Sequence, residues 1–291
     1  MTAAWPDQST AIDEAVAAWR QGDVALQRDL FFVHIADLAR PLTPEARATA
    51  ADSHQDGVPP ASDVGAVFSE TSGLVVLTQT CDIVRPCAER PYVEMAPLLE
   101  VAPEFVEEAR RMRRPAFAYV PGVADRNLIA HLDRTMTIEK AILARWPRIS
   151  GCSSDDETRA FAAALARKRS RFAFPNDFVE ASQDLQERLR VRHNKNHPEG
   201  AHLRALREIR VRAAPSWDNQ TLQLTFWFIR DIEPDGHEPA WSDWVKKWVD
   251  LFRQTGRFRI ELAIPCRLED ITARDYVESD HLDLDQLSSL R

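Results

Sequence analysis

The side chains best placed to do chemistry are Gln79, Cys81 and Asp82, which follow the apolar run Leu74, Val75, Val76 and Leu77. A thiol acts as a nucleophile or a metal ligand only as the thiolate, so Cys81 needs a base or a cation beside it. The histidines of the N-terminal half are His34, His54 and His131, and Asp133 stands two positions after His131. On a strand those two side chains point the same way, which would let the carboxylate orient the imidazole. The spacing therefore permits a Cys81, His131, Asp133 set without requiring it. A metal site would draw on Cys81, Cys87, His34 or His131, yet Cys-x5-Cys is wider than the spacing of structural zinc, and we expect neither metal nor cofactor. The plain alternative is a buried Cys81 serving as a small hydrophobe, with Asp82 capping a turn and Gln79 satisfying backbone groups. No glycine-rich phosphate loop, H-E-x-x-H or G-x-S-x-G stretch occurs, which leaves nucleotide hydrolysis and hydrolase-elbow chemistry poorly supported.

These side chains need a frame. Leu74–Leu77 has the apolar, β-branched pattern of a strand covered on both faces, so the reactive cluster sits where that strand leaves the core. Tyr92–Val101 reads as its hairpin partner. Ahead of it, Ser9–Arg20 reads as a helix with Ser9 or Thr10 as N-cap, and Asp23–Ala36 is strand-like. Residues 41–72, with Gly57, the Pro59–Pro60 pair, Gly65 and many Ser and Asp, read as a long loop, a kind of segment that is usually functional or mobile. His34 and Asp37 would face a cleft beside it. Glu104–Arg114 has helical character, Ala116–Val120 and Leu128–Leu132 have strand character, and Ile138–Ala144 is a helical turn that closes a first domain at residues 1–149. The Gly, Ser and Asp of 150–157 mark a linker.

Residues 158–291 form a second domain with a different rhythm. Helices are expected over Thr158–Ser170, Phe178–Val191 and from about Ala201. Two alternating strands follow, Glu208–Ala214 and Thr221–Ile229, then Trp241, Trp244 and Trp248 at helical spacing and an alternating strand from Phe258 to Ile264. The order β-β-α-β predicts a small antiparallel sheet with a helix on one face, its tryptophans in the core.

Charge is distributed unevenly. The chain is −8 overall, but residues 158–215 carry thirteen Arg or Lys against six Asp or Glu, a balance of +7 that leaves −15 for the rest. Such a region binds phosphate backbones or docks on acidic surface of its own chain or a partner. Arg171 within RFAFPNDF, and Arg210 and Arg212 on one strand face, are its candidate contacts; Asp280, Asp283 and Asp285 are the candidate intramolecular partners. Phe172 and Phe174 offer either a stacking platform or packing between domains. Four scattered cysteines, Cys81, Cys87, Cys152 and Cys266, fit a reducing compartment, and the absence of a membrane-length apolar run or a secretory N-terminus points to the cytoplasm.

Four stretches carry a family likeness: RQGDV at 20–24, LVVLTQTCDIV at 74–84, YVEMAPLLEV at 92–101 and AHLDRTMTIEKAIL at 130–143. In this order, residues 20–146 resemble the MazF/PemK type of toxin fold, a small SH3-like barrel. The resemblance implies an α+β protein with that barrel at its N-terminus. Toxin members of the family are metal-independent endoribonucleases in which an Arg on the first long loop and a Thr after the hairpin work at the scissile phosphate. Arg40 matches the Arg, whereas the Thr position falls near Leu98 or Leu99, which carry no hydroxyl, so the resemblance implies the barrel more than the ribonuclease. The expectation is therefore a non-catalytic binding or adaptor protein in a bacterial toxin–antitoxin or phage-defence setting. It would recognise a protein or nucleic-acid partner through the long loop and Gln79, Cys81 and Asp82, with Arg171, Arg210 and Arg212 adding electrostatic affinity. Two alternatives stand beside it: an endoribonuclease using His34, Arg40, Asp82 and His131 for acid–base and phosphate chemistry, and a structural subunit.

Overall fold

The computed structural model describes residues 8–27, 30–55, 63–112, 114–170, 172–234, 240–254 and 256–282. Helices and sheets mix throughout, an α+β architecture, and the chain divides into two compact units, 1–169 and 170–291. The first unit contains α1 (Ser9–Val16), β1 (Val24–Ala25), β2 (Phe31–Asp37), α2 (Pro44–Gln55), β3 (Val64–Glu70), β4 (Leu74–Val76) and α3 (Thr80–Ile83). It continues with β5 (Tyr92–Glu100), α4 (Pro103–Arg110), β6 (Phe117–Tyr119), β7 (Leu128–His131), β8 (Met136–Glu139), α5 (Lys140–Leu143) and α6 (Asp155–Arg169).

Leu74 and Val76 pack with Val16, Trp19, Ile83 and Leu143, whereas Val75 and Leu77 pack with Leu98, Val123 and Phe161. That division between two clusters is what a continuous apolar run means when both faces of a sheet are covered. The strands run in the order β1-β4-β5-β7-β6, with β8 alongside β5. β4 and β5 form the expected antiparallel pair, from Leu74↔Pro97 to Val76↔Met95. Among the described residues no sheet closes on itself, so the SH3-like barrel is not seen. Closure needs every edge to find a neighbour; β2 instead pairs with β3 in a separate two-stranded ribbon.

That ribbon corrects the reading of 41–72 as a loop. Pro44 opens α2, where its fixed φ suits the first helical turn. Ala46 and Ala50, one turn apart, pack with Leu38 and Val67 in a cluster of their own. Helix stability here comes from tertiary packing of a narrow alanine stripe, which a polar helix sequence does not announce. Gly57, Pro59 and Pro60 lie outside the described residues, as does the His54 side chain.

Residues 150–157 are built into the first unit rather than connecting two. The buried Asp23 carboxylate accepts hydrogen bonds from the Arg20 amide at 2.7 Å, the Gly151 amide at 3.3 Å and Arg148 Nη1 at 2.9 Å. The two turns touch so closely that a Cβ on Gly151 would lie 1.8 Å from the Gly22 carbonyl oxygen, and Gly22 itself has φ +90°. Beyond them α6 delivers Phe161 and Ala164 to the core, so a helix expected in the second domain belongs to the first unit.

The second unit holds α7 (Asn176–His193), α8 (Pro198–Ala205), β9 (Leu206–Ala214), β10 (Leu222–Arg230), α9 (Trp241–Val249), β11 (Phe258–Arg267), α10 (Ala273–Glu278) and β12 (Asp280–Leu282). Its sheet runs β11-β10-β9-β12. β9 and β10 are antiparallel as expected, but β10 and β11 are parallel. The reason is the intervening α9: a helix that carries the chain back along the sheet returns it in the direction it came. Trp241, Trp244 and Trp248 are buried with Phe226, Phe228 and Leu203 in the principal core. Trp227, Ile229 and Cys266 lie in a smaller cluster with Tyr276 of α10. Among the described residues no helix is long and apolar enough to cross a membrane.

Candidate functional site

The exit of β4 is over-determined by hydrogen bonds. The Leu77 amide donates to the Glu94 carbonyl at 2.8 Å, and Thr78 Oγ1 accepts the Glu94 amide at 2.7 Å. From the other side, Gln21 Nε2 donates to the Leu77 carbonyl at 2.7 Å, and the Gln21 amide donates to Thr80 Oγ1 at 3.1 Å. The chain then winds into α3, where the amides of Asp82 and Ile83 both donate to the Gln79 carbonyl. Ile83 takes the buried position of this turn. Cys81 therefore lands on the solvent side, which overturns its reading as a buried hydrophobe. The switch from a strand period of two to a helical period after Leu77 decides which side chain is inside. Gln79 is exposed too, and its Oε1 accepts the Cys81 thiol at 3.6 Å.

Beneath the turn lies a group that sequence reasoning missed. Lys140 is 0% exposed, and its ammonium donates to the carbonyls of Asp82 at 3.0 Å and Arg85 at 2.6 Å. Burial holds its pKa below the ordinary lysine value, opposed by the charges of Asp13, Cys87 and Asp82. Asp13 in turn accepts the Cys87 amide at 2.8 Å. A cation at the C-terminal end of a helical turn answers its unpaired carbonyls. The only sequence signal was a lysine at the start of an amphipathic helical turn, which normally reads as surface.

The acid–base candidates do not converge. The His131 ring stands edge-on to Phe117 at 4.8 Å, its Nδ1 is buried without a partner, and burial lowers its pKa. Asp133 pairs with Lys168 of α6 instead of orienting the imidazole. β7 ends at His131 and the chain turns there, the Arg134 amide donating to the His131 carbonyl at 3.1 Å, so the same-side relation of a strand is lost. Among the described residues the only polar partner of the Cys81 thiol is Gln79, which leaves the Cys81, His131, Asp133 set unassembled. His34 stacks on Phe32 at 5.6 Å, and both its ring nitrogens are buried without hydrogen bonds. Arg40 pairs with Asp37 at 2.7 Å, holding that carboxyl below its ordinary range, and Asp82 lies 3.7 Å from Arg85. No group of three or more His, Cys, Asp or Glu among the described residues is arranged to hold a metal ion.

The basic segment is largely spent within the molecule. Lys168 and Arg169 at the end of α6 pair with Asp133 and Glu94. Arg188 forms two bonds to Glu199, at 2.8 and 2.9 Å. Arg210 donates to Ser279 Oγ at 2.9 Å and to Glu208 at 3.2 Å, and lies over the Tyr276 ring at 4.0 Å. Arg212 reaches Asp275 at 2.6 Å and Glu278 at 3.7 Å. Both guanidiniums thus engage α10 and the turn after it rather than offering a free cationic face. Acidic partners near the C-terminus were anticipated, but Asp280 instead accepts Trp217 Nε1 at 2.7 Å. Arg171, Asp283 and Asp285 lie outside the described residues. Phe172 and Phe174 pack against Trp217 within the second unit, at 5.7 and 5.3 Å between rings.

A shallow cavity of about 570 Å³ opens in the first unit between the β1–β2 connection, at Leu26, Gln27 and Leu30, and the β3–β4 turn at Glu70–Ser72, with Arg126 on its wall. Fold and site together define a two-unit α+β protein with a polar turn at residues 79–85 held by hydrogen bonds. No protein-family model and no curated protein matches the chain.

Proposed function

We propose that the chain is a non-catalytic binding protein, an adaptor that presents the 79–85 turn to a protein partner in the cytoplasm. The observation that carries this reading is the turn itself: its backbone is anchored from below by the buried Lys140 ammonium, while Gln79 and Cys81 face outward and Val84 is half exposed. Side chains held on a preorganised backbone lose little entropy on binding. The pairing of Arg210 and Arg212 within the chain favours a protein over a nucleic acid as the partner. The likeness of residues 20–146 to MazF/PemK toxins supports a bacterial toxin–antitoxin or phage-defence setting.

Two measurements test the reading. Labelled single-stranded RNA incubated with the protein in EDTA should remain intact and show no salt-sensitive mobility shift. A photo-crosslinking residue at position 79 should give one discrete protein adduct in the producing cell that is absent when the residue stands at exposed Asp125. RNA cleavage lost in Arg40→Ala or His131→Ala would overturn the adaptor in favour of the endoribonuclease. Absence of any adduct at position 79 would also overturn it.

A further inference from the structure

We infer that the outer face of the β2–β3 ribbon is a self-association surface on which a second copy of this chain docks antiparallel and face to face. The register Phe31↔Glu70, Val33↔Phe68 and Ile35↔Ala66 places these side chains on one face of the ribbon. Phe31 is 49% exposed, Phe68 61% and Ile35 69%. The Phe31 and Phe68 rings meet edge-on at 5.3 Å, so the apolar surface is contiguous rather than scattered. The opposite face is covered by α2 through Val67, Ala46 and Ala50. A two-stranded ribbon is marginally stable by itself, and a contiguous apolar patch of this kind marks an interaction surface.

Shape and charge both point to a second copy as the occupant. The face is aromatic at the Glu70 end, where Phe31 and Phe68 lie, and aliphatic toward Asp37, where Ile35, Ala66 and exposed Val64 lie. A two-fold axis in the interface plane, perpendicular to the strands, reverses one ribbon over the other and sets the aromatic end of each copy on the aliphatic end of its mate. Glu70 makes no hydrogen bond or ion pair among the described residues. At the other end Arg40 is 86% exposed and bound only by Asp37, through Nε and one Nη, which leaves N–H donors unused. The same rotation sets Glu70 of each copy against Arg40 of the other, making two symmetric pairs. The Asp37 carboxylate at the same end is balanced by Arg40 and bound by the Ala39 and Arg40 amides, which reduces its repulsion of the incoming Glu70. None of these residues belongs to the 79–85 turn, so the inference stands apart from the proposed function.

Sedimentation velocity across a concentration series tests it. The wild type should show a concentration-dependent monomer–dimer equilibrium, and Phe68→Asp should be monomeric. Ile35→Asp serves as a second apolar-face variant, and far-ultraviolet circular dichroism checks that both remain folded. Arg40→Glu and Glu70→Arg should each weaken dimerisation roughly tenfold, since each removes two exposed pairs, while Arg40→Glu combined with Glu70→Arg should restore it. A wild type that is monomeric up to its solubility limit, or a dimer indifferent to both apolar substitutions, overturns the surface. Single charge variants that weaken association without rescue in the combination overturn the antiparallel arrangement.

Discussion

Replacing Lys140 by methionine should destabilise the protein locally, at the turn it supports. Methionine keeps the length and apolar stem of lysine but donates nothing, so the carbonyls of Asp82 and Arg85 lose bonds of 3.0 and 2.6 Å. Each buried acceptor left unsatisfied costs about 1–3 kcal/mol. Part of this is offset because the variant no longer buries an ammonium, the cost that depresses the Lys140 pKa. Arg85 is exposed, so water can answer its carbonyl once the ammonium is gone. The net expectation is a loss of about 1–3 kcal/mol in urea-induced unfolding. Amide exchange should accelerate at Asp82, Ile83 and Val84, whose N–H groups close this turn. The pH dependence carries a definite sign. Between the depressed folded value and the ordinary value near 10.5, the unfolded chain holds a proton that the folded chain lacks, so wild-type stability rises with pH across that window. The methionine variant lacks this rise, and the gap between the two should widen as pH climbs. A variant as stable as the wild type, with unchanged exchange at residues 82–84 and a constant gap, would refute the argument.

Asp23→Ala should cost about 2–4 kcal/mol, because it strands the buried Gly151 amide and removes the part-buried bonds from the Arg20 amide and Arg148, which rehydrate. Urea titration measures it, and a neutral result would show that the 20–24 and 148–151 turns hold without it. His131, its pKa lowered by burial, makes the unfolded chain the stronger proton binder as pH falls from near 6.5 toward the folded value, so wild-type stability should drop there. His131→Leu should flatten that drop in a pH series of thermal melts, and an unaltered slope would assign it elsewhere. Thiol titration with Ellman's reagent should label exposed Cys81 first in the native protein. Cys152, pushed up to about 11 by burial, and buried Cys266 should react only on unfolding. Loss of the fast phase in Cys81→Ser checks the assignment.

Periodicity alone made much of this architecture legible. The run Leu74–Leu77 announced a strand covered on both sides, the tryptophan stripe announced a core helix, and the order β-β-α-β of the second unit was readable because each element contrasts with its neighbours in period. The α+β class followed from those local patterns, as did the position of Gln79, Cys81 and Asp82 at a strand exit. Other features depended on contacts between residues far apart in the chain. α2 forms because Ala46 and Ala50 find Leu38 and Val67, and β3 because it finds β2. Whether Cys81 faced in or out depended on where the helical turn began, at Thr80, four positions after the last strand residue, Val76. His131 and Asp133 parted because the chain turned between them and α6 supplied Lys168. The alternation of Arg210 and Arg212 left open a phosphate-binding face or pairing with acidic residues near the C-terminus, and α10, which supplies Asp275 and Tyr276, decided for pairing within the chain. Lys140 shows the division most plainly: its type and spacing mark a surface residue, and only the carbonyls of Asp82 and Arg85, more than fifty positions away, keep its ammonium inside. Local sequence specifies period and polarity, whereas burial and pairing of charged side chains are set by which distant segments share the same space.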